Sequence, residues 1–587
     1  MKPPRSALLL LLALSTTAQA ELPYAQAGLS KEQAARHLLQ RMSYGPLPGQ
    51  VEQVARQGLE SWFEAQLHPE GPDPEWEARA RQFSLLTQSP EEVRQRYGNR
   101  DRMVAMAEKE GLPKFTQGSE RERQIYEARL REFKQQVDYR DQNDLLEELR
   151  LIKLHRARYS QYQLREVMVD FWFNHFNVNA ADGSVRYNLQ SYEQTVIRPH
   201  CLGKFEPMLQ ASACHPAMLF YLGNARSTAQ PERKTTLNVK FEAAPREEQP
   251  RLRPGQPLKR KQGGLNENYA REVMELHTMG VDGGYTQQDV TELARALTGW
   301  TVLYPETDNP NLRSMLTAGS ELGYLQAGEF LFRADQHDAE AKTVLGHRVP
   351  AGGGLEEGQQ LLHQLAQHPS TARTLSRKLA RRFLSDDPSE ELVERLAARF
   401  TRSQGDIAEV LRELLNSQEF WQEAQRPSKV KSPLEYFLSA VRGVDAQMQV
   451  DRNHHNWLNR MGQPLYVCAP PTGYPEDSRQ WISSSTLIHR INFAHLLAEN
   501  RLGGLRVEWW RRVSASDPHP QETLSKLLLG GKPVSQEWSA GLLSPEDGYP
   551  RSWFFNPMPE DLEQRRNRLL IARLGGVILA SPDFQYR

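Results

Sequence analysis

Glu272, Glu275 and His277 lie close together in NENYAREVMELHTMGVDGGYTQQDVTELARALTGW, residues 266–300, the densest set of chemically capable side chains in the sequence. A second set, Asp170 and His175, lies in QLREVMVDFWFNHF, and a third is the dipeptide His337-Asp338. Imidazole with carboxylate is a donor set for zinc, iron or manganese, and paired carboxylates suit a hard cation. The same groups, positioned against a substrate, serve as general acids and bases. Glu272, His277, Asp170 and His175 are therefore the candidate catalytic residues. Glu272, Glu275, His337 and Asp338 are the candidate ligands for a divalent metal cofactor.

Helical geometry limits what these groups do together. At about 100° per residue, Glu272 and Glu275 stand about 60° apart and both reach one cation, whereas His277 is about 140° from Glu272 and does not easily chelate the same ion. A complete site needs help from Asp170 or His175, or from His337-Asp338. Structural alternatives stand beside each reading. His277 falls inside the apolar arc of Leu276, Tyr269, Val273, Ala270 and Met274, where a backbone carbonyl would satisfy it. Glu275 has Arg271 one turn back, and His337-Asp338 reads equally as a turn with an Asx cap.

The elements that carry these residues are well specified. Asn266 caps a helix that stops at Gly280, and Thr286 with Asp289 forms a capping box that opens a second helix ending near Thr298-Gly299. The helix from Gln163 to Phe176 is apolar on nearly every side, which predicts burial on nearly every side. Its polar residues Glu166, Asp170 and Asn174 stack into one stripe, with Arg165 and His175 intruding on the apolar remainder. Buried charges need partners, so Arg165 or another arginine is expected to pair with Asp170.

Residues 1–20 read as a signal peptide: Lys2 and Arg5, the apolar core LLLLLALS, and a small-x-small site at Ala18-Gln19-Ala20. A periplasmic or secreted protein is expected, with no membrane span after cleavage. Lys plus Arg and Asp plus Glu both total 73, so no basic surplus points to nucleic acid or anionic membrane. Three cysteines, Cys201, Cys214 and Cys468, are too few for a disulfide scaffold. A helix from Phe205 to Ala213 would hold its ends about 12 Å apart, beyond the ~7 Å a disulfide spans, so a Cys201–Cys214 bond is disfavoured while Cys468 is free to reach either.

The chain predicts a mainly α fold, a large multi-helix body with short β pieces and long loops. Residues 21–223 form an N-terminal helical region, opened by a helix that Ser30 caps and Gly45-Pro46 stop. It carries a charged helical insertion near 90–150 that breaks around Gly111-Leu112-Pro113. Residues 224–263, polar and Lys/Arg-rich, read as an exposed loop. A central helical region spans 264–445, with a strand pair near Glu329–Arg333 and Val344–Val349, and a helix-and-loop region spans 446–587. No solenoid period is present.

The stretches ARHLLQRMSYGP, FWFNHFNV, IRPHCLGKFEPML, HPAMLFYLGN, NENYAREVMELHTMGVDGGYTQQDV, ARALTGW, KLARRF and PPTGYP together resemble a bacterial exported family, the domain of unknown function 1800. The resemblance spans nearly the whole mature chain and implies an exported protein of unestablished activity. Members commonly neighbour a sulfatase-like exported family, which implies a partner and transfers no catalytic residue.

Signatures of familiar enzymes are missing: no H-E-x-x-H, G-x-S-x-G, Walker or EF-hand pattern occurs. Three readings are open. One is an envelope enzyme, a metal-dependent hydrolase acting on a polymer or glycoconjugate at a site between the buried helices. A second is a non-catalytic envelope binding or assembly protein acting with a sulfatase-like partner through the 224–263 loop and the Trp457, Tyr474 and Trp481 cluster. In the third, the buried polar residues are purely structural.

Overall fold

The computed structural model describes residues 22–243, 264–303, 323–426, 428–534 and 562–587. The expected signal peptide and the stretches 244–263, 304–322 and 535–561 lie outside the described residues. The body is predominantly helical, with short strands gathered into small sheets.

Local chemistry sets most helix ends as the sequence implies. Ser30 and Gln33 close a reciprocal capping box on Lys31–Met42, and Ser432 with Glu435 does the same for Pro433–Gly443. The charged insertion is a helical hairpin, Arg100–Lys109 and Glu120–Gln136. It has a small core of its own, built on Met103, Val104, Ala107, Leu130 and Tyr139. Nearly everything else shares one continuous core.

Gln163–His175 lies at the centre of that core, with Leu164, Val167, Met168, Val169, Phe171, Trp172 and Phe173 all buried. Its polar stripe is matched group by group. Arg198 grips Glu166 with two nitrogens at 2.8 and 3.0 Å. Asp170 meets Lys153 at 2.9 Å and Arg382 at 3.5 Å, while Arg165 turns instead to Glu166. An arginine does pair with Asp170, and a lysine pairs more closely.

Three expectations change. The helix opened by Asn266 runs only over Glu267–Glu272 and then widens to a π turn, Val273–His277, which rotates Glu275 and His277 away from their α-helical angles. The strands do not pair as a 329–333/344–349 hairpin. Phe330–Phe332 lies between Trp300–Val302 and Leu325–Ala327, both antiparallel to it, and Lys342–Val344 pairs with His347–Val349. The start of the segment read as exposed loop is ordered otherwise: Thr236–Ala243 is a helix, and Thr235, Thr236 and Leu237 are buried. All three cysteines are free thiols.

The polar stripe meets a loop at its far end. Residues 469–477 cross the C-terminal end of Gln163–His175 and are tied there by Asn177, whose amide donates to the carbonyls of Cys468 (3.1 Å) and Pro470 (2.8 Å). The Tyr221 hydroxyl donates to the carbonyl of Ala469 at 2.7 Å.

Candidate functional site

Where that loop faces the polar stripe, a narrow cleft opens, with a cavity volume of about 40 Å3. Its charged lining comes from five separate segments: Lys153, Asp170, Arg382, Lys429 with Glu435, and Glu476. Tyr474 and Trp481, with ring centroids 5.9 Å apart, supply an aromatic wall, and Asn174 and Asn177 supply amides.

Arg382 is the hub. Its guanidinium lies 3.4 Å from Glu435, 3.5 Å from Asp170 and 3.7 Å from Glu476, so three carboxylates share one cation. Glu435 is tied on its far side to Arg587, and its Oε2 accepts the Ser432 N–H at 2.9 Å. Burial works to raise the Glu435 carboxyl, but Arg587 and Arg382 outweigh it and hold the group at about 2. Lys429 donates to Asp386 and to the Glu476 carbonyl, both at 2.8 Å.

Strain is stored at the same place. Tyr466, a cleft residue, has φ +66°, a left-handed conformation that costs a non-glycine residue about 1–2 kcal/mol. Two hydrogen bonds hold it there: its hydroxyl donates to Glu193 at 2.8 Å, and its carbonyl accepts the Ala180 N–H at 2.8 Å.

Of the residues singled out from the sequence as catalytic or metal-binding, Asp170 alone lines this cleft. His175 is one helical step beyond Asn174 and faces the other way, its Nε2 donating to the carbonyl of His277 at 3.1 Å. Its Nδ1 is therefore the acceptor, and Lys378 Nζ donates to it at 3.0 Å and to the Leu276 carbonyl at 3.4 Å. Both ring nitrogens are committed, so His175 clamps the π turn and has no lone pair left for a substrate proton. Burial first, then Lys378, pushes His175 well below its usual range and His277 to about 3. Both imidazoles are neutral.

The expected metal ligands are not brought together. Glu275 pairs with Arg271 at 3.4 Å, and Glu272 is half-buried, its carboxyl pushed up by burial and then by Glu275. Asp338 belongs to a different cluster, where Arg295 grips it with nitrogens at 2.8 and 3.1 Å and its Oδ1 accepts the Glu340 N–H at 3.0 Å, the Asx turn. His337 donates from Nδ1 to the Thr298 carbonyl at 2.9 Å and approaches Glu357 at 3.4 Å. Among the described residues, no group of three or more His, Cys, Asp or Glu side chains is placed to hold a metal ion.

A serine–histidine contact also occurs, Ser191 Oγ to His215 Nε2 at 3.2 Å. His215 Nδ1 accepts the Ala217 N–H as a helix cap, so Nε2 carries the proton and donates to the serine. That polarity is the reverse of a nucleophile and its base. Trp457 packs on Phe493 and stands apart from the Tyr474–Trp481 pair.

Lys153, Arg382, Lys429, Glu435 and Glu476 are not distinguished by residue type or spacing in the sequence. The available signal is a charge set among apolar neighbours, as in PLEYFLSAVRG and KLARRF, where a glutamate or arginine falls on a face that burial would claim.

No helix of the described residues is long and apolar enough to cross a membrane. Among curated proteins and solved structures nothing matches the chain. A family model does match it over residues 37–586, nearly its full length, and the chain belongs to that family, described as protein of unknown function, DUF1800.

Proposed function

We propose that the protein is an envelope binding protein whose cleft beside Gln163–His175 takes a saccharide-containing ligand. The carrying observation is the lining itself: the Tyr474–Trp481 wall, two amides and six charged side chains converge on one cleft. Aromatic faces stack on the apolar faces of sugar rings, while amides, carboxylates and guanidinium groups match hydroxyls. The envelope location rests on the export signal read in residues 1–20. Binding is preferred to catalysis because His175 is spent on structural hydrogen bonds.

The test is thermal denaturation of the full mature chain with a panel of neutral and acidic oligosaccharides. A saturable rise in Tm that Tyr474→Ala and Trp481→Ala reduce, each against its own baseline, supports the reading. No rise with any saccharide overturns it.

Metal-dependent hydrolysis keeps one supporting observation, the raised carboxyl of Glu272 beside Glu275. Elemental analysis of purified protein, with and without chelator, tests it. The sulfatase-like exported partner is tested separately by co-purification from envelope extracts.

A further inference from the structure

Among the described residues, the cations of the cleft differ in how fully they are used. Lys153 meets Asp170 at 2.9 Å, and Lys429 donates twice at 2.8 Å. Arg382 is the exception. It is 5% exposed, lines the cleft, and its Nε and Nη2 have no hydrogen-bond partner. The three carboxylates around it stand at 3.4 to 3.7 Å, close enough to balance its charge but too far for good hydrogen bonds. Next to it, Arg587 likewise keeps Nε and Nη2 without partners, although its Nη1 is bonded to Glu435.

The imbalance is one-sided. Among the atoms sealed from solvent, no carboxylate oxygen of Asp170, Glu435 or Glu476 lacks a partner, so the unmet demand in the buried part of the cluster is for acceptors. A hydroxyl brings a donor with each pair of acceptor sites and would itself need a new acceptor. An oxyanion brings acceptors alone, in a planar or tetrahedral array that fits a guanidinium fork.

Resting on the saccharide-binding reading of this cleft, we infer that the ligand carries an oxyanion group, a carboxylate, phosphate or sulfate on a sugar, and that this group closes onto the free edge of Arg382. Lys153 and Lys429 add positive charge along the same wall. The aromatic pair then takes the ring while Arg382 takes the charge, which makes Arg382 the specificity-determining residue.

The experiment is isothermal titration of the full mature chain with sodium glucuronate, glucose and glucose 6-phosphate, and with inorganic phosphate and sulfate alone, all at matched ionic strength. The expected result is that an acidic sugar binds about tenfold or more tightly than glucose, the worth of one charge-assisted hydrogen bond. Arg382→Lys, which keeps the charge among the carboxylates but loses the fork, should remove that preference, so that acidic and neutral sugars bind alike. Lys153→Gln, further from the hub, should weaken acidic sugars without abolishing the preference. Equal binding of glucose and both acidic sugars overturns the inference while the saccharide reading survives. Binding of free phosphate or sulfate as tightly as any acidic sugar, with no contribution from the ring, overturns both.

Discussion

Asn174 holds Tyr474 by both ends of its side-chain amide: Oδ1 accepts the Tyr474 N–H at 2.7 Å, and Nδ2 donates to the Tyr474 carbonyl at 2.8 Å. The side chain acts as a short strand, pairing with one residue of the 469–477 loop and fixing the aromatic wall against the buried helix. Asn174→Ala should therefore leave a half-buried N–H and C=O without partners, at a cost of about 1–3 kcal/mol each at most. Urea denaturation measures the loss. Asn174→Asp, which keeps the acceptor and loses the donor, should fall between Ala and the natural residue.

Gly473 is the neighbouring constraint. Its φ is +72°, and a Cβ there would lie 2.3 Å from the Asn174 carbonyl oxygen and 2.5 Å from its Oδ1. Gly473→Ala should cost about 1–3 kcal/mol from backbone strain alone and loosen the loop. Faster amide exchange confined to 469–477, with the rest of the body unchanged, is the expected reading. Uniform protection would show that the loop accommodates the methyl group.

The Glu435–Arg587 pair sets an acid limit. Glu435 titrates near 2 in the folded protein against about 4.3 in an unfolded chain. A depressed carboxyl contributes stability that is complete above the unfolded value and is lost as pH falls from about 4.3 toward 2. The natural protein should lose stability through that window more steeply than Glu435→Gln does. Breaking the pair by Arg587→Ala should cost at most about 3–5 kcal/mol at neutral pH, because the buried Glu435 charge is left with the more distant Arg382 as its remaining cation at 3.4 Å.

Lys378 gives the opposite sign. Burial holds its amine at about 8, against about 10.4 when unfolded. Between those values the unfolded chain binds more protons, so this lysine's contribution to stability improves as pH rises from about 8 to about 10.4. In Lys378→Met that improvement should vanish. Comparing the two stability profiles over this range isolates it from other titrating groups.

Three thiols should be counted in denatured protein prepared without reductant, and dithiothreitol should leave the Tm unchanged. Under native conditions thiol reagents should react slowly. Burial pushes Cys201 and Cys214 up to about 12 and Cys468 to about 11, far from the thiolate form.

Much of the fold can be read in the amino acids. Gln163–His175 declares its burial because apolar residues surround its axis, and Asp170 must then find a cation, which it does in Lys153 and Arg382. Ser30, Ser432, Thr286 and His368 mark helix starts by chemistry that acts within three residues. Strand pairing is less legible, because Trp300–Val302 finds Phe330–Phe332 across a long separation that no local pattern encodes. The π turn at Val273–His277 has no composition of its own, so angles drawn on an ideal helix misplace Glu275 and His277. The site is least legible of all. Histidines stand out by type, yet burial keeps His175 and His277 neutral and His337 is bound to a backbone carbonyl. The cleft is built instead from lysine, arginine and glutamate that look ordinary one at a time.

Lys153, Asp170, Arg382, Lys429, Glu435 and Glu476 reach the cleft from places spread over most of the chain. A peptide cut from any one stretch would be mute, and a ribosome must finish nearly the entire molecule before a recognition surface exists. Occupancy then doubles as a certificate of completion: whatever settles in the cleft stabilises only finished copies and leaves clipped or half-made ones to proteases.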